Sequence, residues 1–257
     1  MATQTVAARA VLEYRLVKYR QTWRGATVNS LAIPVLLLLG VGLSVGSYVN
    51  RHGTLGVPYL EFVAPGLLAS STLQLAMTEA GAPVFNSFHW ERSYFGMITA
   101  PARPLDIIAG ELAYLALRMA PTAVVFTALM AALGAVHSGW AIALPVVAVL
   151  VGLAGAAPMF AYSASVNTVI MMSVLLRFSL LPMTLFSGVF FPITRLPSGI
   201  RPVAYVLPLW HGVQLSRAAA SGIGDLLAVC GHLLVLLLWC VAGVAVAHGR
   251  FVRRLTP

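Results

Sequence analysis

The residues whose chemistry could serve a catalytic site are few and widely spaced in this chain. Its six histidines are scattered, and the sequence contains neither an HExxH nor a CxxC spacing that would hold a metal ion. The phosphate-binding loop GxxxxGK[ST] is also absent, because the only lysine, Lys18, lies in a basic segment near the N-terminus. The sequence therefore predicts no catalytic residue, no metal site and no bound cofactor in this chain.

Two arginines suggest a different kind of chemistry, because Arg118 and Arg177 interrupt long apolar runs. A charge at the centre of a bilayer costs about 2.5–3.5 kcal/mol on insertion scales, so each arginine requires a partner, a wet cavity or a nearby interface. Glu111 lies seven residues before Arg118 and hence on the same helix face. A structural ion pair or snorkelling is one interpretation. The other is that both arginines line a substrate path.

These residues must be positioned by helices that face lipid. Of the 257 residues, 60% are hydrophobic and only 9% are charged, whereas a soluble domain carries about 25% charged residues. The mean hydropathy is +0.90. Because about 20 apolar residues cross a bilayer, the sequence predicts six spans, at 29–49, 60–80, 106–133, 141–163, 168–190 and 226–247.

Basic residues fall at the ends of these apolar runs and predict the orientation. With both termini inside, the cytoplasmic bases are Arg9, Arg15, Lys18, Arg20, Arg24, Arg92, Arg103, Arg250, Arg253 and Arg254. The outside bases are Arg51, Arg195, Arg201 and Arg217. This excess of inside charge predicts cytoplasmic N- and C-termini. No soluble basic face with interleaved aromatic residues exists, so the sequence predicts no nucleic-acid partner.

Three segments are not predicted to span. Residues 4–24 alternate apolar and basic residues at helical spacing, which predicts a cytoplasmic interfacial helix within 1–28. Residues 81–105 form a polar cytoplasmic loop. Residues 191–224 contain too many prolines to cross as a regular helix, and we expect short or re-entrant helices there. The predicted fold is a single all-α integral membrane domain over 1–257, with six transmembrane helices, the interfacial helix and an outer re-entrant segment between spans five and six.

Two stretches between the predicted spans resemble a known family. The inner loop reads FHWERSYFGMITAP over 88–101 and continues with LDIIAGE over 105–111. The outer segment reads SGVFFP over 187–192 and YVLPLWHGVQLSR over 205–217. In this order they resemble ABC-2-type transporter permeases, with closest similarity to the daunorubicin-resistance and nodulation-factor exporter permeases. The resemblance covers essentially the whole chain and implies an exporter subunit in the bacterial cytoplasmic membrane.

The resemblance also implies the partners of the chain. Two separate ATP-binding-cassette ATPase subunits would hold ATP and Mg, and a second permease copy or a related permease would complete the transporter. The inner loop would then be a coupling helix ended by Pro101, since proline cannot continue a helix. The predicted coupling residues are His89, Trp90, Glu91, Arg92, Tyr94, Met97 and Pro101. A solvated loop that merely carries inside charge is the alternative.

Aromatic residues near the outer boundary have two interpretations. They form either an interfacial belt or an exit gate for cargo. The predicted path and gate residues are Arg118, Arg177, Phe190, Phe191, Tyr205, Trp210 and His211. The predicted function is alternating-access export of a hydrophobic or amphipathic cargo such as a drug, lipid or glycolipid. Two other functions stay open: an integral membrane enzyme using His211 or Glu111 on a lipid, and a gated channel.

Overall fold

The computed structural model describes residues 2–41, 56–99 and 102–256, and every regular element in these ranges is helical. The α-helices are α1 Ala2–Gly40, α2 Tyr59–His89, α3 Ser93–Thr99, α4 Pro104–Ala132, α5 Leu144–Ser163, α6 Val169–Phe186, α7 Arg201–Val206, α8 Pro208–Ser221 and α9 Leu226–Leu255. Short 3-10 turns at Gly139–Ala143 and Ile193–Arg195 precede α5 and α7. The predicted all-α class is confirmed.

Five of these helices are long and apolar enough to cross a membrane: α2, α4, α5 together with its preceding turn, α6 and α9. A sixth span results if Ala7–Gly25 and Ser30–Gly40, the two parts of α1, are counted together. The predicted multi-span membrane fold is therefore confirmed. The second half of the first predicted span, residues 42–49, lies outside the described residues.

Helix α1 joins the predicted interfacial segment to the first predicted span through a bend of 45°. Its N-terminal part packs closely on α4, because a Cβ built at Gly110 would lie only 2.6 Å from the Cβ of Val11. Small residues permit such close helix contact. The continuous helix agrees with the predicted helical N-terminus, while its position in the membrane interface stays a prediction.

The predicted loop over 81–105 needs a correction, because residues 81–89 continue helix α2. Val84, Phe85 and Phe88 are buried on the face that contacts the bundle, and this burial holds the segment in the helix despite its polar neighbours. The loop proper begins at Trp90. There Arg92 adopts φ 50°, a left-handed conformation that few non-glycine residues take, and turns the chain into α3.

Side-chain contacts identify the two ends of the bundle. At one end, which we call the basic end, Arg254 of α9 lies 2.6 Å from His89 Nε2 and donates to the Ala164 carbonyl at 2.6 Å. Helix α3 and the C-terminal part of α9 therefore share one end. That this end is cytoplasmic rests on the distribution of basic residues.

The opposite end, which we call the distal end, contains the start of α2 and the turns after α4 and α6. The Tyr59 hydroxyl donates to the Phe190 carbonyl at 3.2 Å, and the His137 amide donates to the Ala220 carbonyl at 3.0 Å. Helices α7 and α8 lie between this end and the middle of the bundle.

The segment from α7 to α8 enters the bundle and returns. The Val206 carbonyl, at the end of α7, accepts a hydrogen bond from Trp239 Nε1, halfway along α9. Helix α8 then runs back past Val151 of α5, where a Cβ at Gly212 would meet Val151 at 2.2 Å, and ends at Gly222 with φ 73°. The short helices predicted within 191–224 are present, and their depth in the bilayer stays a prediction.

Burial is distributed unevenly among the helices. In the most apolar stretch of α2, 67% of the residues are buried, whereas α6 and α9 bury only 6% and 11% of theirs. Helix α2 is thus the central helix of the bundle. The exposed apolar surfaces of α6 and α9 indicate contact with lipid or with another membrane subunit.

Candidate coupling surface and transport path

A buried ionic cluster joins three helices at the basic end. Arg15 Nε of α1 donates to both carboxylate oxygens of Glu111 at 2.7 and 2.8 Å, and the Tyr94 hydroxyl of α3 donates to the same carboxylate at 2.7 Å. Arg15 is 5% exposed, Glu111 2% and Tyr94 1%. Because the opposite charges are paired and hydrogen-bonded away from water, this Arg15–Tyr94–Glu111 cluster fixes α3 against α1 and α4.

Aromatic packing holds α3 from its other side. The Phe88 ring meets both the Tyr94 ring and the Phe251 ring at 4.9 Å, in edge-to-face geometry. The Arg254 guanidinium lies 4.9 Å from the centre of the same Phe88 ring. Helix α3 is therefore attached to the ends of α2 and α9 as well.

The predicted coupling residues divide into an inward and an outward group. His89 stacks on Phe85, Tyr94 belongs to the buried cluster, and Met97 packs against the core. Trp90, Glu91 and Arg92 are exposed, with Trp90 at 74%, and Lys18 of α1 pairs with Glu91 at 2.5 Å. Pro101 lies outside the described residues.

Phe95 is an exposed residue of the same loop that the sequence analysis missed. Helical spacing from the predicted coupling residues does not point to Phe95, because Glu91 and Arg92 precede α3 and Arg92 interrupts the helical path with φ 50°. Together, Trp90, Glu91, Arg92 and Phe95 form what we call the coupling surface.

The two arginines within apolar runs have different environments. Arg118 is 5% exposed, donates to the Ser30 hydroxyl at 2.8 Å and lies 4.8 Å from the centre of the Tyr19 ring. It therefore ties α4 to α1 and is not free to line an open path. Arg177 lies near the middle of the 18-residue helix α6 and is exposed. It makes no hydrogen bond or ion pair to the described part of the chain.

Polar residues accompany Arg177 along α6. Helical periodicity places Ser173 and Thr184 on the same stripe as Arg177. Helix α2, on which α6 packs, exposes Gln74 and Thr78 one turn apart. Exposed polar groups in a membrane span require water, a partner or a polar ligand. Helices α2 and α6 thus both carry polar side chains within candidate membrane spans.

A histidine pair links α8 to α9. His211 Nδ1 lies 2.8 Å from His232 Nδ1, and His211 Nε2 lies 2.8 Å from the Tyr205 carbonyl oxygen. A carbonyl only accepts, so Nε2 of His211 carries its proton and Nδ1 accepts from His232 in the neutral pair. Burial lowers the pKa of His211. No third potential metal ligand joins the pair within the described residues.

The predicted gate residues form two groups. Tyr205, Trp210 and His211 come together, with ring contacts at 4.7 and 4.8 Å. Phe190 and Phe191 instead lie in the turn after α6, where both are half-buried. The sequence analysis missed His232 because it lies 21 residues after its partner, inside an apolar run.

Arg217 holds the turn that carries the two phenylalanines. Its guanidinium donates to the carbonyls of Phe62, Gly188 and Val189 at 3.1, 2.7 and 3.3 Å, and lies 3.7 Å from the centre of the Phe62 ring. Burial lowers the pKa of Arg217 to about 10, so the side chain stays charged at neutral pH. Arg217, which was predicted only to carry outside charge, therefore connects α8 to α2 and to the turn after α6.

The structure does not assemble the alternative enzyme site. Glu111 belongs to the basic end, where Arg15 and Tyr94 occupy its carboxylate, and His211 lies in the distal half of the bundle against Tyr205. The structure therefore does not join the two residues in one site, and an enzyme that uses His211 or Glu111 alone stays an alternative. The described structure is thus a multi-pass helical bundle with a rigidly held polar loop at one end.

Comparison with known proteins gives the family. Residues 7–220 match the ABC-2 type transporter family. The chain belongs to this family, and the resemblance seen in its two motifs is confirmed. The chain is thus the membrane subunit of an ABC exporter rather than a catalytic enzyme, and family membership implies partnership with an ABC ATPase.

Curated relatives match over three quarters or more of their length. Nodulation protein J of Rhizobium leguminosarum bv. viciae is 30% identical over 258 residues, which covers 96% of this chain and 94% of that protein. Nodulation protein J of Sinorhizobium fredii is 32% identical over 77% of this chain and 76% of its own. The inner membrane transport permease YadH of Escherichia coli K12 is 26% identical over 96% and 97%. These similarities support a multi-pass protein of the cell membrane.

Proposed function

We propose that this chain exports a hydrophobic or amphipathic cargo, such as a drug, lipid or glycolipid, across the bacterial cytoplasmic membrane. Two ATPase subunits that bind ATP and Mg supply the work, and a second copy of this permease or a related one completes the path. The names of the relatives and the family membership support transport, and the distribution of basic residues supports cytoplasmic termini.

The observation that carries the proposal is the coupling surface, which lies on the turn before the rigidly held helix α3 and on its first turn. Trp90 is 74% exposed. Tryptophan is among the residues most enriched at protein interfaces, so its exposure here favours a docking surface. Directly behind it, the Arg15–Tyr94–Glu111 cluster and the Phe88 packing prevent α3 from moving independently. A displacement imposed on the coupling surface by an ATPase is therefore transmitted to α1, α2, α4 and α9.

The cargo path follows the polar surfaces of α2 and α6. Arg177, with Ser173 and Thr184, would face Gln74 and Thr78 or the equivalent surface of a second subunit across a wet cleft. An exposed arginine in an apolar span favours this arrangement over a lipid-facing one, because lipid offers it no acceptor. Tyr205, Trp210 and His211 would line the exit.

The test is co-purification with a co-expressed ABC ATPase. Trp90→Ala removes the central side chain of the coupling surface, and we expect at least a tenfold loss of bound ATPase. Trp140→Ala is the matched control, because Trp140 is 73% exposed but follows α4 at the distal end. Equal retention of the ATPase by both variants, with normal size-exclusion profiles, would refute the coupling role.

A further inference from the structure

The guanidinium of Arg254 contacts two separate segments at the basic end of the bundle. Its Nη2 lies 2.6 Å from His89 Nε2, where α2 ends. Its Nη1 donates to the Ala164 carbonyl at 2.6 Å, directly after the end of α5. Because both nitrogens belong to one rigid planar group, a displacement of the end of α2 acts on the end of α5 through this side chain.

The ring of His89 is fixed through both of its nitrogens. Nδ1 lies 3.1 Å from the Phe85 carbonyl oxygen, which only accepts, so Nδ1 carries the proton. Arginine only donates, so Nε2 of His89 accepts from Arg254. The ring also stacks on the Phe85 ring, with the ring centres 4.0 Å apart. Because His89 directly precedes Trp90, Arg254 holds the last helical residue before the coupling surface.

The second contact of Arg254 reaches the start of α6. Ala164 directly follows α5, where helix carbonyls lack intrahelical donors and a cation is favourable. The turn at 164–168 then leads into α6, and the Tyr162 hydroxyl donates to the Met171 carbonyl in the first turn of that helix at 3.1 Å. The end of α5, the turn and the start of α6 therefore form one connected unit.

Another connection between α2 and α5 lies further from the coupling surface. The Ser163 hydroxyl donates to the Ala80 carbonyl at 2.8 Å, well before the end of α2. This contact responds to a movement of α2 as a whole. Arg254 instead holds the end of α2 that carries the coupling surface. A local displacement at Trp90 thus has its direct route to the turn through Arg254.

We propose that Arg254 is a positioning residue of the transporter and carries a displacement of the coupling surface to α6. This inference rests on the proposed function, in which an ATPase displaces Trp90 and α6 contributes Arg177 to the path. The Arg15–Tyr94–Glu111 cluster links the coupling surface to α1 and α4. Arg254 adds a separate input to α6, which arrives at the turn at 164–168.

The first experiment uses the permease alone in lipid nanodiscs and follows hydrogen exchange at the turn. The Ser165 and Val166 amides donate to the Tyr162 carbonyl at 2.8 and 3.1 Å, so their exchange reports the order of the turn. His89→Leu removes an acceptor of Arg254 and leaves the turn sequence intact. We expect exchange at these two amides to become about threefold faster or more.

A double variant and a neighbouring arginine provide the controls. In an Arg254→Gln background, His89→Leu should have no further effect, because the link is already broken. Arg253→Gln changes the exposed neighbour and should keep native exchange at the turn. Unchanged exchange in His89→Leu, or equal acceleration with and without Arg254, would overturn the link.

The second experiment uses the complex with a co-expressed ABC ATPase, with and without a non-hydrolysable ATP analogue. In the native complex, we expect the analogue to change exchange at the turn. Arg254→Gln should reduce this change about fourfold or more, while α3 keeps its own response. A residue that only stabilises the turn would alter basal exchange and leave the response to nucleotide intact.

Arg254→Lys provides the same test if Arg254→Gln does not fold. Lysine keeps the charge but replaces the planar group by a single ammonium, so we expect a similar loss of the response. A full response in every folded variant, or no response at the turn of the native complex, would overturn the proposal.

The proposal and the proposed function can fail separately. ATPase binding is measured by co-purification with Trp90→Ala, a variant that leaves Arg254 intact. If the native chain bound no ATPase, the proposed function would fail. Exchange in the permease alone would still decide whether Arg254 links His89 to the turn.

Discussion

The two ends of the bundle hold their buried arginines in different ways. At the basic end, Arg15 is paired with a carboxylate, that of Glu111. At the distal end, Arg217 donates only to the backbone carbonyls of Phe62, Gly188 and Val189. A carboxylate neutralises the charge, whereas carbonyl dipoles only solvate it.

This difference suggests different mechanical roles. The basic end combines opposite charges and packed aromatic rings around α3, so its parts move together. The distal half relies on hydrogen bonds to carbonyls and on a neutral histidine pair. In the proposed mechanism, the basic end transmits motion and the distal half rearranges in response.

The largest effect is expected for Glu111→Gln. This change leaves Arg15 buried without a carboxylate, and breaking a buried pair costs about 3–5 kcal/mol. Denaturant titration of the purified protein in detergent should show this decrease in the free energy of unfolding. Glu13→Gln removes the exposed partner of Arg9 and should cost about 0.5 kcal/mol or less. Similar losses for both variants would contradict the structural role of the cluster.

An intermediate effect is expected for Arg217→Met. The change removes hydrogen bonds from a charged donor, worth about 1.5–3 kcal/mol, while the carbonyls can regain partners from water. Hydrogen exchange should show faster exchange in the turn at 187–192. Arg195→Met, at an exposed arginine near the same turn, should leave exchange there unchanged. Unaltered protection in Arg217→Met would show that other contacts hold the turn.

The smallest effect is expected from acidification. Burial lowers the pKa of His211, so the unfolded state binds protons more readily. The contribution of neutral His211 to stability is fully present above the pKa of an unfolded histidine, about 6.5. It decreases as the pH falls through that pKa towards the lower pKa of His211 in the folded state. Protonation of His211 at Nδ1 places this N–H against the N–H of His232 Nδ1 and breaks the link between α8 and α9.

Trp210 reports on this link, since its ring lies 4.8 Å from His211 and 5.1 Å from His232. Its fluorescence should change with pH in the native chain, and His232→Gln should remove most of the change. Asp225 and Arg217 line the same cavity as His232, and their opposite charges act on the histidine pair in opposite directions. His137→Gln alters a distal histidine paired with Glu61 and should preserve the titration. An unchanged titration in His232→Gln would contradict the assignment.

Periodicity and caps made most of the fold predictable. The predicted span at 106–133 corresponds to Pro104–Ala132, where the Asp106 carboxylate accepts from the Arg103 amide at 2.9 Å and fixes the start. Asp225 caps α9 from the N-cap position, where its carboxylate accepts from the Leu227 amide at 3.4 Å. The continuation of α2 to His89 was not predictable from local polarity, because it depends on burial against distant helices.

The candidate site was less predictable, since its contacts link distant parts of the chain. Helical spacing suggested Glu111 as the partner of Arg118, but Glu111 pairs with Arg15, 96 residues away. Arg177 was selected from the sequence because its charge conflicts with its apolar surroundings, whereas Trp90 was selected through the family resemblance of the inner loop. Local conflict is visible in one sequence, whereas long-range pairing is not.

The exposed arginine on α6 also has a consequence for biogenesis. A lone copy in the bilayer would leave the Arg177 guanidinium against hydrocarbon, at a cost of about 2.5–3.5 kcal/mol on insertion scales. A partner that supplies acceptors removes this cost and therefore shifts the equilibrium towards the assembled complex. In the proposed function, the side chain that lines the path would then also favour assembly with a partner subunit.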